Sequence, residues 1–325
     1  MLATYIHNMD PVIFEVIGPV KLRWYGLGYL LGFVFAYLLL RWFANKKLWV
    51  LPGEKVADFI AYAAFFGVFL GGRLGYVLFY QMQHAEGRGA LANDPLSVFK
   101  VWDGGMASHG GILGLVLFTY FYARRNKVSW TGVGDGLCVV APIGIGLVRV
   151  ANFINGELYG RFAHGVSWAV KFPSSLHEDL KGDPETLRAA YDAMEAVDPA
   201  VKDNLPLAIE KARENPDLQE VLGSYLQARH PSQLYEALLE GLVLFGILFT
   251  LRIRFPKLAH GVITGLFFVL YAVFRIIVEY FRQPDVEQAL VFGLTKGQFY
   301  STFMIVGGLC FIIFALKKKP VVENA

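Results

Sequence analysis

Seven stretches of the chain read as near-continuous apolar runs of about twenty residues, separated by short polar joints and one long polar block. A run of that length crosses the hydrocarbon layer of a bilayer as an α-helix. The pattern predicts spans over 24–43, 57–80, 104–123, 132–155, 232–252, 261–281 and 298–316. The expected fold class is an all-α polytopic membrane protein with seven transmembrane helices and a small outer-face head. Residues 1–23, with Pro11, Phe14, Val16, Ile17 and Pro19, read as a short amphipathic segment in the outer interface. Residues 24–155 hold the first four spans and an outer loop at 81–103. The block 156–230 is the head, and 231–325 hold the last three spans and the C-terminal tail. The acidic part of the head, Leu176 to Leu222, is punctuated by Pro184, Pro199, Pro206 and Pro216 and reads as a solvated surface.

Lysines and arginines in short loops set the orientation. Arg41, Lys46, Lys47 and Lys55, then Arg124, Arg125 and Lys127, then Arg252, Arg254 and Lys257, and finally Lys317–Lys319 collect on one side. That side is cytoplasmic, which puts the N-terminus outside and the C-terminus inside. Composition agrees: 55% of the 325 residues are hydrophobic and 18% charged, against about a quarter charged in soluble domains. A net charge of +3 without a basic patch interleaved with aromatics argues against nucleic acid as a partner. The first twenty residues lack the basic and apolar regions of a cleaved leader. Cys138 and Cys310 fall in separate apolar runs and read as packing residues. No Cys/His spacing suits a metal, and no cofactor is expected.

The candidate chemistry lies in polar residues inside the apolar runs. An ionisable group at membrane depth costs roughly 2.5–3.5 kcal/mol on insertion scales, so its default reading is functional. Gly146–Arg161, GLVRVANFINGELYGR, carries Arg149, Asn152, Asn155, Glu157 and Arg161. Arg149 and Asn152 share a helical face, and Asn155-Gly156 is a turn signal that breaks the helix. The sixth span aligns Tyr271, Arg275, Glu279 and Arg282 in one stripe, with an Arg275–Glu279 ion pair within reach. Tyr25 opens the first span. Arg73 lies in the glycine-rich Gly71-Gly72-Arg73-Leu74-Gly75-Tyr76. His109 stands near the start of the third span, and its flanking glycines let a substrate or a backbone come close. Its imidazole suits proton transfer near neutrality. Gln233, Glu236 and Glu240 place polar groups on one flank of the fifth span.

All these positions fall toward the outer-leaflet half. Several arginines at that depth suggest a pocket for an anionic group such as a phospholipid phosphate. Residue chemistry alone leaves a lipid-phosphate-handling enzyme or a lipid or anionic-solute transporter. An intramembrane serine protease, prompted by Ser108-His109, fits poorly because neighbours on one helix point about 100° apart.

GLVRVANFINGELYGR resembles the signature of the prolipoprotein diacylglyceryl transferases. Similar to that family are also Trp24-Tyr25-Gly26, the Gly71–Tyr76 segment, His109-Gly110-Gly111, His230-Pro231-Ser232-Gln233-Leu234-Tyr235-Glu236, and Phe274-Arg275 through Glu279 to Arg282-Gln283-Pro284-Asp285. The acidic part of the head is longer than the family pattern needs. The resemblance implies a multi-pass bacterial inner-membrane enzyme of lipoprotein biosynthesis. It would move an sn-1,2-diacylglyceryl group from phosphatidylglycerol, a membrane lipid, to the lipobox cysteine thiol of a prolipoprotein signal peptide. A thioether forms and glycerol phosphate leaves. It implies His109, Arg149 and Arg275 as catalytic, and Tyr25, Arg73, Asn152, Asn155, Glu157, Gly160, Tyr271, Glu279 and Arg282 as substrate-binding.

Overall fold

A computed structural model describes residues 4–17, 20–100, 105–283 and 293–317. Pro19, Pro284, Asp285, Lys318 and Lys319, named above, lie outside the described residues, as does the expected start of the third span. The protein is predominantly helical. Helices α1 (Trp24–Asn45), α2 (Gly53–Gln83), α3 (Ser108–Asn126) and α4 (Trp130–Ile154) precede three shorter helices of the long polar block, α5 (Pro184–Val197), α6 (Leu205–Ala212) and α7 (Pro216–Tyr225). Then come α8 (Ser232–Arg254), α9 (Val262–Glu279) and α10 (Lys296–Lys317). Among the described residues six helices are long and apolar enough to cross a membrane: α1, α2, α4, α8, α9 and α10. The remaining expected span is α3, whose hydropathy is diluted by His109, its glycines and tyrosines, and the terminal Arg124 and Arg125.

The chain divides into two compact units. The first holds residues 1–32, 142–247 and 268–308. Its N-terminal segment, expected as an amphipathic element, contains strands. Strands β1 (Tyr5–Ile6), β4 (Val170–Lys171) and β5 (Ala228–Arg229) form one small sheet in the order β1-β4-β5, and β2 (Val12–Ile17) pairs with β3 (Val20–Arg23) as an antiparallel hairpin. The run Val12-Ile13-Phe14-Glu15-Val16-Ile17 is rich in β-branched and aromatic residues, which favours a pleated ribbon. The helices of the long polar block enclose a core of Leu176, Met194, Val201, Leu205, Leu218 and Leu222. Each begins at an Asx cap: the side chains of Asp183, Asn204 and Asn215 accept backbone N–H bonds at the helix starts, with Pro in the first turn.

The second unit holds residues 33–141, 248–267 and 309–325. Within it α2 and α3 approach through glycine. A Cβ on Gly75 would lie 2.4 Å from Gly110 Cα, and one on Gly114 would lie 2.3 Å from Gly67 O. Small residues permit such backbone contact in apolar surroundings. Asp135, buried, accepts N–H bonds from Gly261 and Thr264, both at 2.8 Å, and so caps the start of α9.

Candidate active site

The first unit gathers its charge where α4, α8 and α9 converge. Gly146 and Gly241 set that convergence: a Cβ on Gly241 would stand 2.7 Å from Gly146 Cα. Arg149 lies one turn beyond Gly146 on α4. Glu240 directly precedes Gly241, and Glu236 lies one turn earlier. Residues Ala237–Val243 of α8 form a π-helical stretch, a local widening that recurs at functional sites. Close backbone approach at the glycines lets the long side chains meet.

Glu236 is the hub. Its Oε2 lies 2.9 Å from Arg149 Nε as an ion pair, and its Oε1 accepts from Arg275 Nη1 at 2.5 Å and Arg282 Nη1 at 3.0 Å. Glu240 stands 3.8 Å from Arg149 Nη2 and 4.0 Å from Arg275 Nη1. Arg275 also makes the anticipated pair with Glu279, at 2.9 Å. Tyr271 is within electrostatic reach of Arg149, Arg275 and both glutamates of α8. Three guanidiniums face three carboxyl groups. Exposure is unequal, however. The side chains of Glu236 and Glu240 are 0% exposed, whereas Arg149 keeps 19% and Arg275 15%. The carboxylates hold the arginines from behind, and the accessible edges are cationic donors suited to an anion with several oxygens.

The signature segment continues this wall. Helix α4 ends at Ile154, and Gly156 takes φ +67°, the left-handed conformation that suits the Asn-Gly turn. Asn152, buried, donates to Tyr25 OH and to Glu157 Oε1, both at 2.8 Å, and Asn155 reaches Glu157 Oε1 at 3.4 Å. Gln233 Nε2 holds the Glu157 carbonyl at 2.6 Å. Gly160 is threaded between two chains: its N–H donates to His230 O at 2.9 Å, and a Cβ there would lie 2.5 Å from the carbonyls of both His230 and Phe281. Glu279 Oε1 accepts from Thr295 at 2.9 Å. Tyr25, Arg149, Asn152, Asn155, Glu157, Gly160, Tyr271, Arg275, Glu279 and Arg282 therefore belong to one unit and largely to one hydrogen-bonded network. Outside the spans, burial pushes the His230 imidazole below its ordinary value and favours its neutral form.

Arg73 and His109 stand in the second unit. Arg73 is buried, and its guanidinium donates to the carbonyls of Ser97 (2.6 Å), Val98 (3.1 Å) and Gly105 (3.3 Å), fastening the loop before α3. His109 is exposed. The neighbouring Gly110 serves backbone approach to α2, one of the two uses its sequence context allowed.

Sequence reasoning left Glu236 and Glu240 out of the site. The available signal was two acids four residues apart inside an apolar run, which on residue cost alone invites the same reading as Arg149. It also treated the acidic head as solvated surface, yet Asp179 is completely buried against Arg229.

With this geometry in view, comparison with known proteins is direct. A profile of the prolipoprotein diacylglyceryl transferase family matches residues 11–314. The chain is 44% identical to a phosphatidylglycerol–prolipoprotein diacylglyceryl transferase of Serratia proteamaculans, covering 96% of this chain and 95% of that one. It is 42% identical to the protein of that name in Photorhabdus laumondii, over 96% and 94%, and 41% identical to that in Escherichia fergusonii, over 98% of both chains.

Proposed function

This chain belongs to the prolipoprotein diacylglyceryl transferase family, and from that premise we propose how its residues perform the reaction. The protein is a multi-pass bacterial membrane transferase of lipoprotein biosynthesis that acts on phosphatidylglycerol and prolipoprotein. In the finer reading it spans the inner membrane seven times, α3 included. Its N-terminus and the head of residues 156–230 lie on the periplasmic side and its C-terminus in the cytoplasm. Its acceptor is the lipobox cysteine of the signal peptide.

The charge cluster supports a specific division of labour. The phosphate of phosphatidylglycerol sits on the accessible edges of Arg149 and Arg275. The cysteine sulfur attacks the sn-3 methylene carbon of the diacylglyceryl group. A C–S bond forms as the C–O bond to phosphate breaks, and the electron pair stays on the phosphate oxygen, which departs as glycerol phosphate. Charge grows on that oxygen in the transition state, so guanidiniums fixed beforehand stabilise the transition state more than the ground state. Glu236, Glu240, Glu279 and Tyr271 hold the arginines. Tyr25, Asn152, Asn155, Glu157, Gly160 and Arg282 shape the lipid pocket. Arg73 acts through the loop it fastens. His109 is the candidate acceptor of the thiol proton, a role supported by its chemistry: a thiol of pKa about 8.5 must ionise to attack.

The single observation behind the assignment is the contrast between fully buried carboxylates and partly exposed arginines. The test uses purified protein in detergent, phosphatidylglycerol labelled in its headgroup glycerol, and a lipobox peptide. Cysteine-dependent release of glycerol phosphate, abolished in Arg149→Ala and Arg275→Ala, is the expected result. Undiminished release in either variant refutes the role of that arginine.

A further inference from the structure

Among the described residues the largest completely buried side chain is an arginine outside the charge cluster, Arg229. Its Nε and Nη2 donate to Asp179 Oδ1 at 2.8 and 2.5 Å, and both side chains are 0% exposed. Its guanidinium lies over the rings of Tyr159 at 4.8 Å and Phe162 at 4.3 Å. The other carboxylate oxygen of Asp179 accepts from Gln227 N at 2.8 Å and Ser175 Oγ at 2.9 Å. The remaining arm, Nη1, donates to Gly160 O at 3.0 Å. All three nitrogens of the planar fork donate, in a way a lysine cannot copy. A buried ion pair gives no general stability advantage over apolar side chains of equal volume, and its best-attested use is to fix register.

From Gly160 the geometry runs on to the charge cluster. Gly160 and Arg282 form an antiparallel bridge, Arg161 N donates to Phe281 O at 2.8 Å, and Arg161 Nε donates to Arg282 O at 3.0 Å. Arg282 then reaches Glu236 at 3.0 Å, the carboxylate that holds Arg149 and Arg275. We propose that the Arg229–Asp179 pair is a positioning pair for the diacylglyceryl transfer. It anchors the Gly160 segment on the head and, through Arg282, sets the placement of Glu236 and the two phosphate-binding arginines. This proposal rests on the transferase reading given above. The pair touches no substrate, being wholly enclosed, and acts only through this relay.

The test is steady-state release of glycerol phosphate by full-length protein with phosphatidylglycerol and lipobox peptide. Arg229→Lys and Asp179→Asn are compared with Met194→Ala, a cavity in the head core. A misplacement of about 1 Å at a reacting centre costs on the order of a hundredfold. Both pair variants are therefore expected to lower kcat by about tenfold to a hundredfold while leaving both KM values within about threefold. Met194→Ala is expected to lower the melting midpoint comparably with kcat unchanged. In an Arg282→Lys background the Arg229→Lys change is expected to cost little more, because the relay is already broken. A kcat for Arg229→Lys within about twofold of wild type, a multiplicative loss in the double variant, or loss of the fold in both pair variants overturns the proposal and leaves the pair purely structural. Failure of the wild type to release glycerol phosphate would instead overturn the transferase reading itself.

Discussion

Neutralising Glu236 is the sharpest probe of the charge cluster, because one carboxylate there serves three guanidiniums. Each of its contacts places opposite charges about 4 Å apart, worth on the order of 4 kcal/mol at an effective dielectric near 20. Three contacts therefore sum to about 12 kcal/mol gross, and desolvation of the buried ions takes back several kcal/mol each. Removing one partner from a buried pair typically costs about 3–5 kcal/mol, since the surviving charge is left uncompensated. Glu236→Gln belongs at the lower end, about 3 kcal/mol. The amide still accepts a hydrogen bond, and Arg149 and Arg275 keep partial exposure and a second carboxylate each. The catalytic effect is larger, because the three arginines lose the common carboxylate charge that fixes their spacing; about a hundredfold fall in kcat is expected. Thermal unfolding in detergent reads the first effect and headgroup release the second. A Glu236→Gln protein that melts with wild type and turns over within about threefold of it would refute the claim that this carboxylate organises the site.

Three further outcomes are specific. Gly241→Val adds bulk where even a Cβ would lie 2.7 Å from Gly146 Cα, so it is expected to separate α4 from α8 and reduce turnover more than tenfold while circular dichroism keeps its helical signal. His7 stacks on Phe172 and meets Phe153 edge-on, and burial holds its imidazole below the ordinary value of 6.5. The unfolded chain therefore binds the proton more readily: stability is full above about pH 6.5, falls as pH drops through the folded pKa, and levels below it. His7→Phe should erase that slope in melts recorded across the window. His109→Gln should lower the rate of cysteine-dependent release if the imidazole accepts the thiol proton, and an unchanged rate would remove His109 from the chemistry.

The helices were legible because lipid imposes a blunt rule on length and hydropathy, and Arg149 and Arg275 because a guanidinium in an apolar run has no innocent place. Helix breakage at Asn155-Gly156 was equally readable, since turn chemistry is local. Glu236 and Glu240 were harder. They follow Pro231 at the start of a span, where polar residues ordinarily face the interface, and their complete burial comes from the Gly146–Gly241 crossing between helices almost a hundred positions apart. Asp179 was lost for a related reason. Its acidic, proline-punctuated context describes a wet surface, and only the fold of the head brings Arg229 beneath it. Strand β1 went unrecognised because it and its sheet partners β4 and β5 are only two residues each.

The pairing of opposite charges in the cluster has a consequence for how the enzyme meets its lipid. Each guanidinium of the cluster stands beside a carboxyl group, so opposite charges offset one another and the field falls off more steeply than that of a bare cationic patch. The site is expected to enrich anionic lipids around itself less than a cationic surface patch would. With the proposed phosphate site on Arg149 and Arg275, choice among headgroups is expected to rest on short-range donor geometry at the arginine edges. Occupancy should then follow the mole fraction of phosphatidylglycerol in the membrane and respond weakly to bulk salt, making turnover a gauge of lipid composition more than of surface potential.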